Sequence, residues 1–227
     1  MFIVKNDPRS VSSESYRNLR TSLEYSSIDK AIKTLVVTSS EAGEGKSTVA
    51  GNLAYVLSQG GKRVIIIDCD LRKPSLHRKF GISNGVGLTN CLVGKCKLSD
   101  AIINVDERLD VLTSGENPPN PADVVNSRMM EELLELLKST YDHIIIDTPP
   151  VRAVTDGQIL AGKCDGTLLV IKAEKTKSDS IIQGYKELEK VKANVLGSVL
   201  NGASTNRREA YYYEYSNNKR KKKKRRK

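Results

Sequence analysis

The chain has 227 residues, of which 38% are hydrophobic, a length that suits one α/β domain with its own core. Its net charge of +10 is concentrated at one end, because the nine residues 219–227 are all lysine or arginine. The rest of the chain has 28 of the 37 basic residues and all 27 acidic ones, so it is nearly neutral. No apolar run approaches the roughly 20 residues that cross a bilayer, and the N-terminus is too polar for a secretory signal, so we expect a cytoplasmic protein.

Residues 1–30 predict a helical arm that precedes the domain, with helix over about 8–27. Glu14, Arg17 and Arg20 recur at a spacing of three, which places them near one another on one surface of a helix. On their own they indicate an exposed ion pair that contributes little to stability.

The stretch 40–48, Ser-Glu-Ala-Gly-Glu-Gly-Lys-Ser-Thr, carries the strongest functional signal. It follows an apolar, β-branched run and precedes a helix-like segment, which is the context of a phosphate-binding loop. Glycines let successive backbone N–H groups converge on an anion, and the helix N-terminus adds partial positive charge. Lys46 can reach the terminal phosphates and Ser47 can hold Mg²⁺, so the loop predicts binding of a nucleoside triphosphate.

Apolar runs that alternate with helical patterns predict an α/β fold. Strands are expected at 34–39, 63–68, 109–113, 141–147, 167–171 and 195–200, and helices at 49–59, 126–139, 155–162 and 177–192. The nearly continuous apolar runs suit strands that are covered on both faces, hence a parallel sheet. We therefore expect one doubly wound domain over residues 31–203, a mostly parallel sheet with helices on both faces, followed by a flexible tail at 204–227.

Three aspartates follow two of the predicted strands. Asp68 and Asp70 come after the apolar run 64–67, and Asp147 follows 144–146. In a parallel sheet they would emerge beside the loop, where carboxylates can hold the Mg²⁺ of a bound nucleotide and its waters. An aspartate there can also accept the proton of an attacking hydroxyl or water.

Together these features resemble the Walker A, A′ and B motifs of the bacterial tyrosine kinases, the cytoplasmic kinases of capsule and exopolysaccharide synthesis. The resemblance covers about residues 8–215. The supporting stretches are 68–77 with Phe80, 87–89 with Gly94, 115–121, and 147–151 with Asp156.

The resemblance implies a P-loop NTPase-like fold and an ATP- and Mg²⁺-dependent protein-tyrosine kinase. Its implied catalytic residues are Lys46, Asp68, Asp70 and Asp147, with Asp68 as the candidate to activate the tyrosine hydroxyl. The implied Mg²⁺ ligands are Ser47, Asp68, Asp70 and Asp147, and the implied ATP contacts are Gly43, Glu44, Gly45, Lys46, Ser47, Thr48 and, at the adenine, Asn201. Which aspartate touches the metal directly stays open.

Two other classes of protein also stay open. A partitioning ATPase of the MinD and ParA kind would transfer phosphate to water, although the signature lysine of those loops would fall at Glu41. A non-catalytic, nucleotide-gated scaffold would bind ATP without turnover, and the complete carboxylate set argues against it.

Four of the nine tyrosines lie within 211–215. The cluster could be a merely aromatic-rich tail, but the resemblance implies that it is the autophosphorylation substrate. The implied phosphate acceptors are Tyr211, Tyr212, Tyr213 and Tyr215.

The resemblance also implies partners. Glu14, Arg17 and Arg20 would join subunits in a ring, so that each tail reaches the active site of the next subunit. A transmembrane adaptor, a polysaccharide co-polymerase, would recruit the kinase to the inner face of the plasma membrane.

The polybasic end 219–227 lies outside the resemblance. A solvated tail, attraction to an anionic membrane surface and nucleic-acid binding are three interpretations of such a run. Nucleic acid is the least favoured, because the rest of the chain is nearly neutral.

Overall fold

The computed structural model describes residues 2–26 and 31–204, and within these ranges the chain forms a seven-stranded sheet and ten helices. The strands are β1 (Thr34–Ser39), β2 (Val64–Asp68), β3 (Ile102–Asp106), β4 (Leu109–Leu112), β5 (His143–Asp147), β6 (Gly166–Lys172) and β7 (Val195–Asn201). The helices are α1 (Ile3–Asn6), α2 (Val11–Ser26), α3 (Lys46–Gln59), α4 (Leu76–Phe80), α5 (Leu88–Leu92), α6 (Leu98–Ala101), α7 (Pro121–Asn126), α8 (Arg128–Thr140), α9 (Asp156–Lys163) and α10 (Ser178–Lys190).

The strand order is β3-β4-β2-β5-β1-β6-β7, and all neighbouring pairs are parallel except β3 with β4. The predicted mostly parallel, doubly wound sheet is therefore confirmed, and all six expected strands are present. The antiparallel strand β3 was not predicted, because it is short and half-exposed and lacks a continuous apolar run.

Helices cover both faces of the sheet, which explains the uninterrupted apolar strands. Along β1, Leu35 and Val37 pack with α3 on one face, while Val36 packs with α8 and α9 on the other. Successive strand side chains point to opposite faces, so a strand covered on both sides needs an apolar residue at every position.

The N-terminal segment packs closely on α3. The Phe2 ring lies 5.5 Å from Tyr55 and 4.6 Å from Phe80, measured between ring centroids. A Cβ on Gly51 would fall 2.0 Å from the Phe2 ring, so the glycine makes room for this contact. The expected arm helix is present as α2, whose first turn is capped by Ser10 through a 3.2 Å bond from Ser13 N–H.

The predicted tail lies almost wholly outside the described residues. This applies to the tyrosine cluster 211–215 and to the basic run 219–227. Among the helices of residues 2–26 and 31–204, none combines the length and apolar character that crossing a bilayer requires.

Candidate nucleotide-binding and phosphotransfer site

The site lies where β1, β2 and β5 end side by side. Asp68 and Asp147 are register partners on β2 and β5, and Asp147 also pairs with Val37 of β1, just before the loop. The sheet topology thus brings together residues that the sequence separates by about eighty positions, as expected for parallel strand ends.

The phosphate-binding loop runs from the end of β1 into α3. Gly43 and Gly45 adopt φ values of +80° and +96°, a region that favours glycine, and Lys46 begins the helix and is buried. Helix α3 therefore starts three residues earlier than the predicted position 49. The start of a helix supplies backbone N–H groups and partial positive charge, which suit a phosphate.

Two residues of the following segment contact the loop hydroxyls. Ser75 donates its hydroxyl to the Ser47 oxygen at 2.8 Å, and Lys79 Nζ donates to Thr48 Oγ1 at 3.0 Å. The sequence analysis assigned no role to either residue. They orient the hydroxyl that is expected to ligate Mg²⁺ and the one beside it.

Glu41 fastens the start of the loop to two other segments. Its Oε1 atom accepts hydrogen bonds from Ser180 Oγ at 2.6 Å and from Arg152 Nη1 at 2.9 Å. These contacts, that of Ser180 first, lower the pKa of the Glu41 carboxyl. The position where partitioning ATPases carry a lysine is therefore occupied by a carboxylate, which is bonded to residues of the same chain.

Glu44 fastens the middle of the loop in a similar way. It is buried, its Oε1 atom accepts from the Thr176 hydroxyl, and its backbone oxygen accepts from Asn201 Nδ2 at 2.8 Å. Asn201 thus lies against the loop backbone. Its expected contact with adenine remains a prediction.

Asp68 is held at the end of β2 by three backbone N–H groups. Oδ2 accepts from Ser75 and Leu76, both at 2.9 Å, and Oδ1 accepts from Asp70 at 3.3 Å. Burial raises the pKa of Asp68 to about 6, although the backbone hydrogen bonds oppose this shift. The carboxyl is fixed in orientation and is mostly ionised at neutral pH, so it can accept a proton.

Asp147 is fully buried, and neither of its carboxylate oxygens has a hydrogen-bond partner within residues 2–26 and 31–204. Burial raises its pKa to about 8, and the charge of Asp68 adds to the shift, whereas Ser47 and Lys46 oppose it. A buried carboxylate without partners is costly unless a ligand, ion or water satisfies it.

The donor set fits a magnesium ion that arrives with a nucleotide. Within the described residues no three His, Cys, Asp or Glu side chains are close enough together to hold a metal by themselves. Mg²⁺ usually keeps several waters and takes one or two carboxylates plus phosphate oxygens, and the Ser47 hydroxyl with the unsatisfied Asp147 meets that need.

Asp70 is less directly placed in the site. It is half-buried, and its Oδ1 atom accepts from Lys73 N–H at 3.0 Å, which closes the turn after β2. Its charge raises the pKa of both Asp68 and Asp147. Its expected role at the metal remains a prediction.

Arg72 forms an ion pair with two hydrogen bonds near the site. Its Nε and Nη2 atoms donate to the two oxygens of the buried Asp156, at 2.9 and 3.2 Å. This pair ties the Asp-x-Asp-x-Arg segment to the first turn of α9. Both residues belong to the stretches that match the family, but nothing in the sequence pairs them.

Glu14, Arg17 and Arg20 of α2 divide between two contacts. Arg17 Nη1 lies 2.5 Å from Glu14 Oε2, as the helical spacing predicts. Arg20 instead donates to the carbonyl of Val56 at 3.1 Å, near the end of α3, where unpaired carbonyls attract a cation. The expected place of all three residues in a subunit interface remains a prediction.

The fold and loop define a P-loop nucleotide-binding domain. A family profile described as "AAA domain" matches residues 32–200. Tyrosine-protein kinase YwqD of Bacillus subtilis is 44% identical over 206 residues, which cover 90% of this chain and 87% of YwqD. Tyrosine-protein kinase CpsD of Streptococcus agalactiae serotype Ia is 36% identical over 193 residues, 84% of this chain and 82% of CpsD.

Solved structures agree with these relatives. The chimerical protein CapA2B2 superposes with a TM-score of 0.87 at 38% identity, covering 90% of each chain. The kinase domain of the Escherichia coli tyrosine kinase ETK gives 0.84 at 32% identity, covering 91% of this chain and 83% of that one. The chain belongs to the bacterial tyrosine kinases, as its motifs predict.

The partitioning ATPases share the fold at a greater distance. The septum site-determining protein MinD from Pyrococcus horikoshii OT3, complexed with Mg-ADP, gives a TM-score of 0.64 at 27% identity and covers 76% of this chain and 72% of its own. The kinases match more of the chain, at higher identity, than MinD does.

Proposed function

We propose that this kinase uses ATP and Mg²⁺ to phosphorylate the tyrosines of its own C-terminal cluster, Tyr211, Tyr212, Tyr213 and Tyr215. The observation that carries the proposal is the unsatisfied Asp147 carboxylate beside Lys46 and Ser47. This arrangement is suited to a triphosphate with its metal, because Lys46 can meet the phosphates while Asp147 and Ser47 meet the cation and its waters.

The residues divide the reaction between them. The N–H groups of Gly43, Glu44, Gly45 and Thr48 orient the phosphates, and Lys46 balances charge on the β- and γ-groups. Ser47 and the aspartates would hold Mg²⁺, which would offset the negative charge of the phosphate oxygens. Asp68 takes the proton of the tyrosine hydroxyl while the tyrosine oxygen bonds to the γ-phosphorus. The bond between the γ-phosphorus and the β–γ bridging oxygen breaks at the same time, which releases ADP.

We further propose that transfer occurs in trans within a ring. Glu14 and Arg17 are partly exposed on α2 and available to a neighbouring subunit. In the cell the kinase would be cytoplasmic, recruited to the inner face of the plasma membrane by a transmembrane polysaccharide co-polymerase, and would regulate capsule or exopolysaccharide synthesis and export. The basic run 219–227 would add attraction to anionic lipid, about 1 kcal/mol for each surface-proximal cation.

The test is incubation with ATP and Mg²⁺, with and without the cytoplasmic segment of the adaptor, followed by intact-mass measurement. We expect additions of phosphate to the wild type and none to Lys46→Met. A matched variant, Lys62→Met, changes a lysine outside the loop and should behave as wild type.

The same experiment separates the other classes of protein. If the tail stays unmodified while a variant with all four tail tyrosines changed to phenylalanine turns over ATP steadily, water is the acceptor and the partitioning function holds. If Lys46→Met and the wild type behave alike in both assays, the kinase proposal fails.

A further inference from the structure

An apolar groove lies between α10 and β7, and the residues that line it include neither the loop residues nor the strand-end aspartates of the catalytic site. It has a volume of about 470 Å³, within the range of ligand and peptide pockets. Helix α10 covers β6 but leaves the same face of β7 open. The groove is lined chiefly by Leu169, Ile171, Ile181, Ile182, Tyr185 and Val195.

Large apolar side chains remain exposed along this groove. Ile182 and Tyr185 are 52% and 49% exposed, and Leu200 on β7 is 59% exposed. Leu200 pairs in register with Ile171, a lining residue, so the two point to the same face of the sheet. Several exposed large apolar side chains at or beside one groove are typical of a docking surface.

We propose that the unphosphorylated tyrosine cluster 211–215 of this chain docks in this groove of its own molecule. The chain leaves the described region at Ser204, three residues after β7 ends. Tyr211 lies seven residues farther on, which spans up to about 23 Å at roughly 3.3 Å per residue. Seven residues back from Ser204 is Gly197 on β7, which lines the groove, so Tyr211 can fold back that far.

The chemistry of the segment matches the groove. Tyrosine rings bury a large apolar surface while their hydroxyls stay at a wet rim. Lys186 and Glu189 supply one charge of each sign at the rim of the groove. The segment also carries charges of both signs, with Arg207, Arg208 and Glu209 before the tyrosines and Glu214 between Tyr213 and Tyr215.

Docking gives phosphorylation a direct physical consequence, which rests on the proposed kinase function. A phosphotyrosine carries about −1.5 to −2 charges, which an apolar groove does not solvate. The unphosphorylated cluster is therefore stored on its own subunit and withheld from its neighbour, and the phosphorylated cluster stays released. Binding of the cluster in the groove thus lowers the rate at which the first phosphate is added.

Docking is tested on the full-length, phosphatase-treated protein without nucleotide, by timing chymotrypsin cleavage after residues 211–215 with intact-mass detection. Cleavage tracks the undocked population when docking exchanges rapidly, so Ile182→Glu should accelerate it by roughly fivefold or more. Leu136→Glu is the matched control, because Leu136 is an equally exposed residue, at 56%, on α8, and it should leave the rate unchanged. Equal rates in the two variants would overturn the proposal.

A second measurement does not depend on a groove mutation. Hydrogen exchange in α10 and β7 should be slower in the wild type than in a full-length variant whose four tail tyrosines are serine, and indistinguishable exchange would overturn the proposal.

The rate of wild-type cleavage should also be constant over a hundredfold dilution. A rate that rises on dilution would assign the groove to a second copy of the chain and reject docking in the same molecule. None of these measurements uses ATP. A failure of the phosphotransfer assay can therefore be distinguished from a failure of docking.

Discussion

Arg72 binds both oxygens of the buried Asp156 carboxylate, through Nε at 2.9 Å and Nη2 at 3.2 Å. The pair joins the segment that follows β2 to the first turn of α9. Burial makes Asp156 dependent on this partner, because an unpaired buried charge is strongly unfavourable. The ion pair therefore fixes the turn that carries Asp68 and Asp70.

Removing this guanidinium should destabilise the fold. We expect Arg72→Ala to lower the free energy of unfolding by about 2 kcal/mol and Arg72→Lys by less, since lysine keeps the charge but not the two-pronged geometry. Urea unfolding measures both. Arg128→Ala is the control, because Arg128 pairs with Glu132 on the open surface and should change stability by less than about 0.5 kcal/mol. A similar loss in Arg72→Ala and Arg128→Ala would contradict the role assigned to Asp156.

The raised pKa values of Asp68 and Asp147, about 6 and about 8 against an ordinary 3.8, predict how stability depends on pH. Between about pH 4 and pH 8 the folded chain holds protons on these carboxyls that the unfolded chain has lost. The free energy of unfolding of the nucleotide-free protein therefore decreases, through these groups, as pH rises across that window.

Comparing Asp147→Asn with the wild type isolates the contribution of Asp147. The variant should gain stability relative to the wild type as pH rises from 5 to 8, measured by urea unfolding without nucleotide. A stability difference that stays constant over this range would show that Asp147 is not held at a raised pKa.

Two glycines of the loop offer a matched pair of substitutions. Gly43→Ala meets no atom within 4 Å and should cost only the strain of its +80° φ, about 1 kcal/mol. A Cβ on Gly45 would lie 2.0 Å from Asn201 Nδ2, so Gly45→Ala must also break the bond from Asn201 to the Glu44 carbonyl. We expect Gly45→Ala to lose more stability and more ADP affinity, measured by urea unfolding and calorimetry. Adding Asn201→Ala should recover the steric part, and equal effects of the two glycine changes would argue against this contact.

Substitutions in α2 can distinguish a residue that holds the helix on α3 from residues that contact a neighbouring subunit. Arg20→Ala should lower the free energy of unfolding by about 1 kcal/mol, because it removes the bond to the Val56 carbonyl. Changing Glu14 and Arg17 together to alanine should leave stability nearly unchanged, since their pair is exposed, but reduce the assembled mass in light scattering. An unchanged mass would refute the proposed interface.

The parallel part of the fold was predictable because its strands are buried on both faces. The run Val64–Asp68 is apolar until its final carboxylate, and nothing but a covered strand suits such a run. β3 gives no such signal, because an edge strand with one open face can alternate polar and apolar residues. α1 has only four residues, too few for a helical period to appear in the sequence.

The loop and the aspartates were predictable for a related reason: each is a local pattern at a strand end. The contacts that restrain them are not local. Arg72 and Asp156 are 84 residues apart, Glu44 and Thr176 132, and Glu41 and Ser180 139. Side chains that meet only because distant strands end together produce no local sequence pattern at either position.

The cis contacts of Glu41 and Glu44 have a thermodynamic consequence. Arg152, Ser180, Thr176 and Asn201, which restrain the loop, all belong to the same polypeptide as the loop itself. An intramolecular restraint is independent of protein concentration, so dilution does not loosen it. The shape of the loop that receives a nucleotide is therefore set within one polypeptide and does not change with protein concentration.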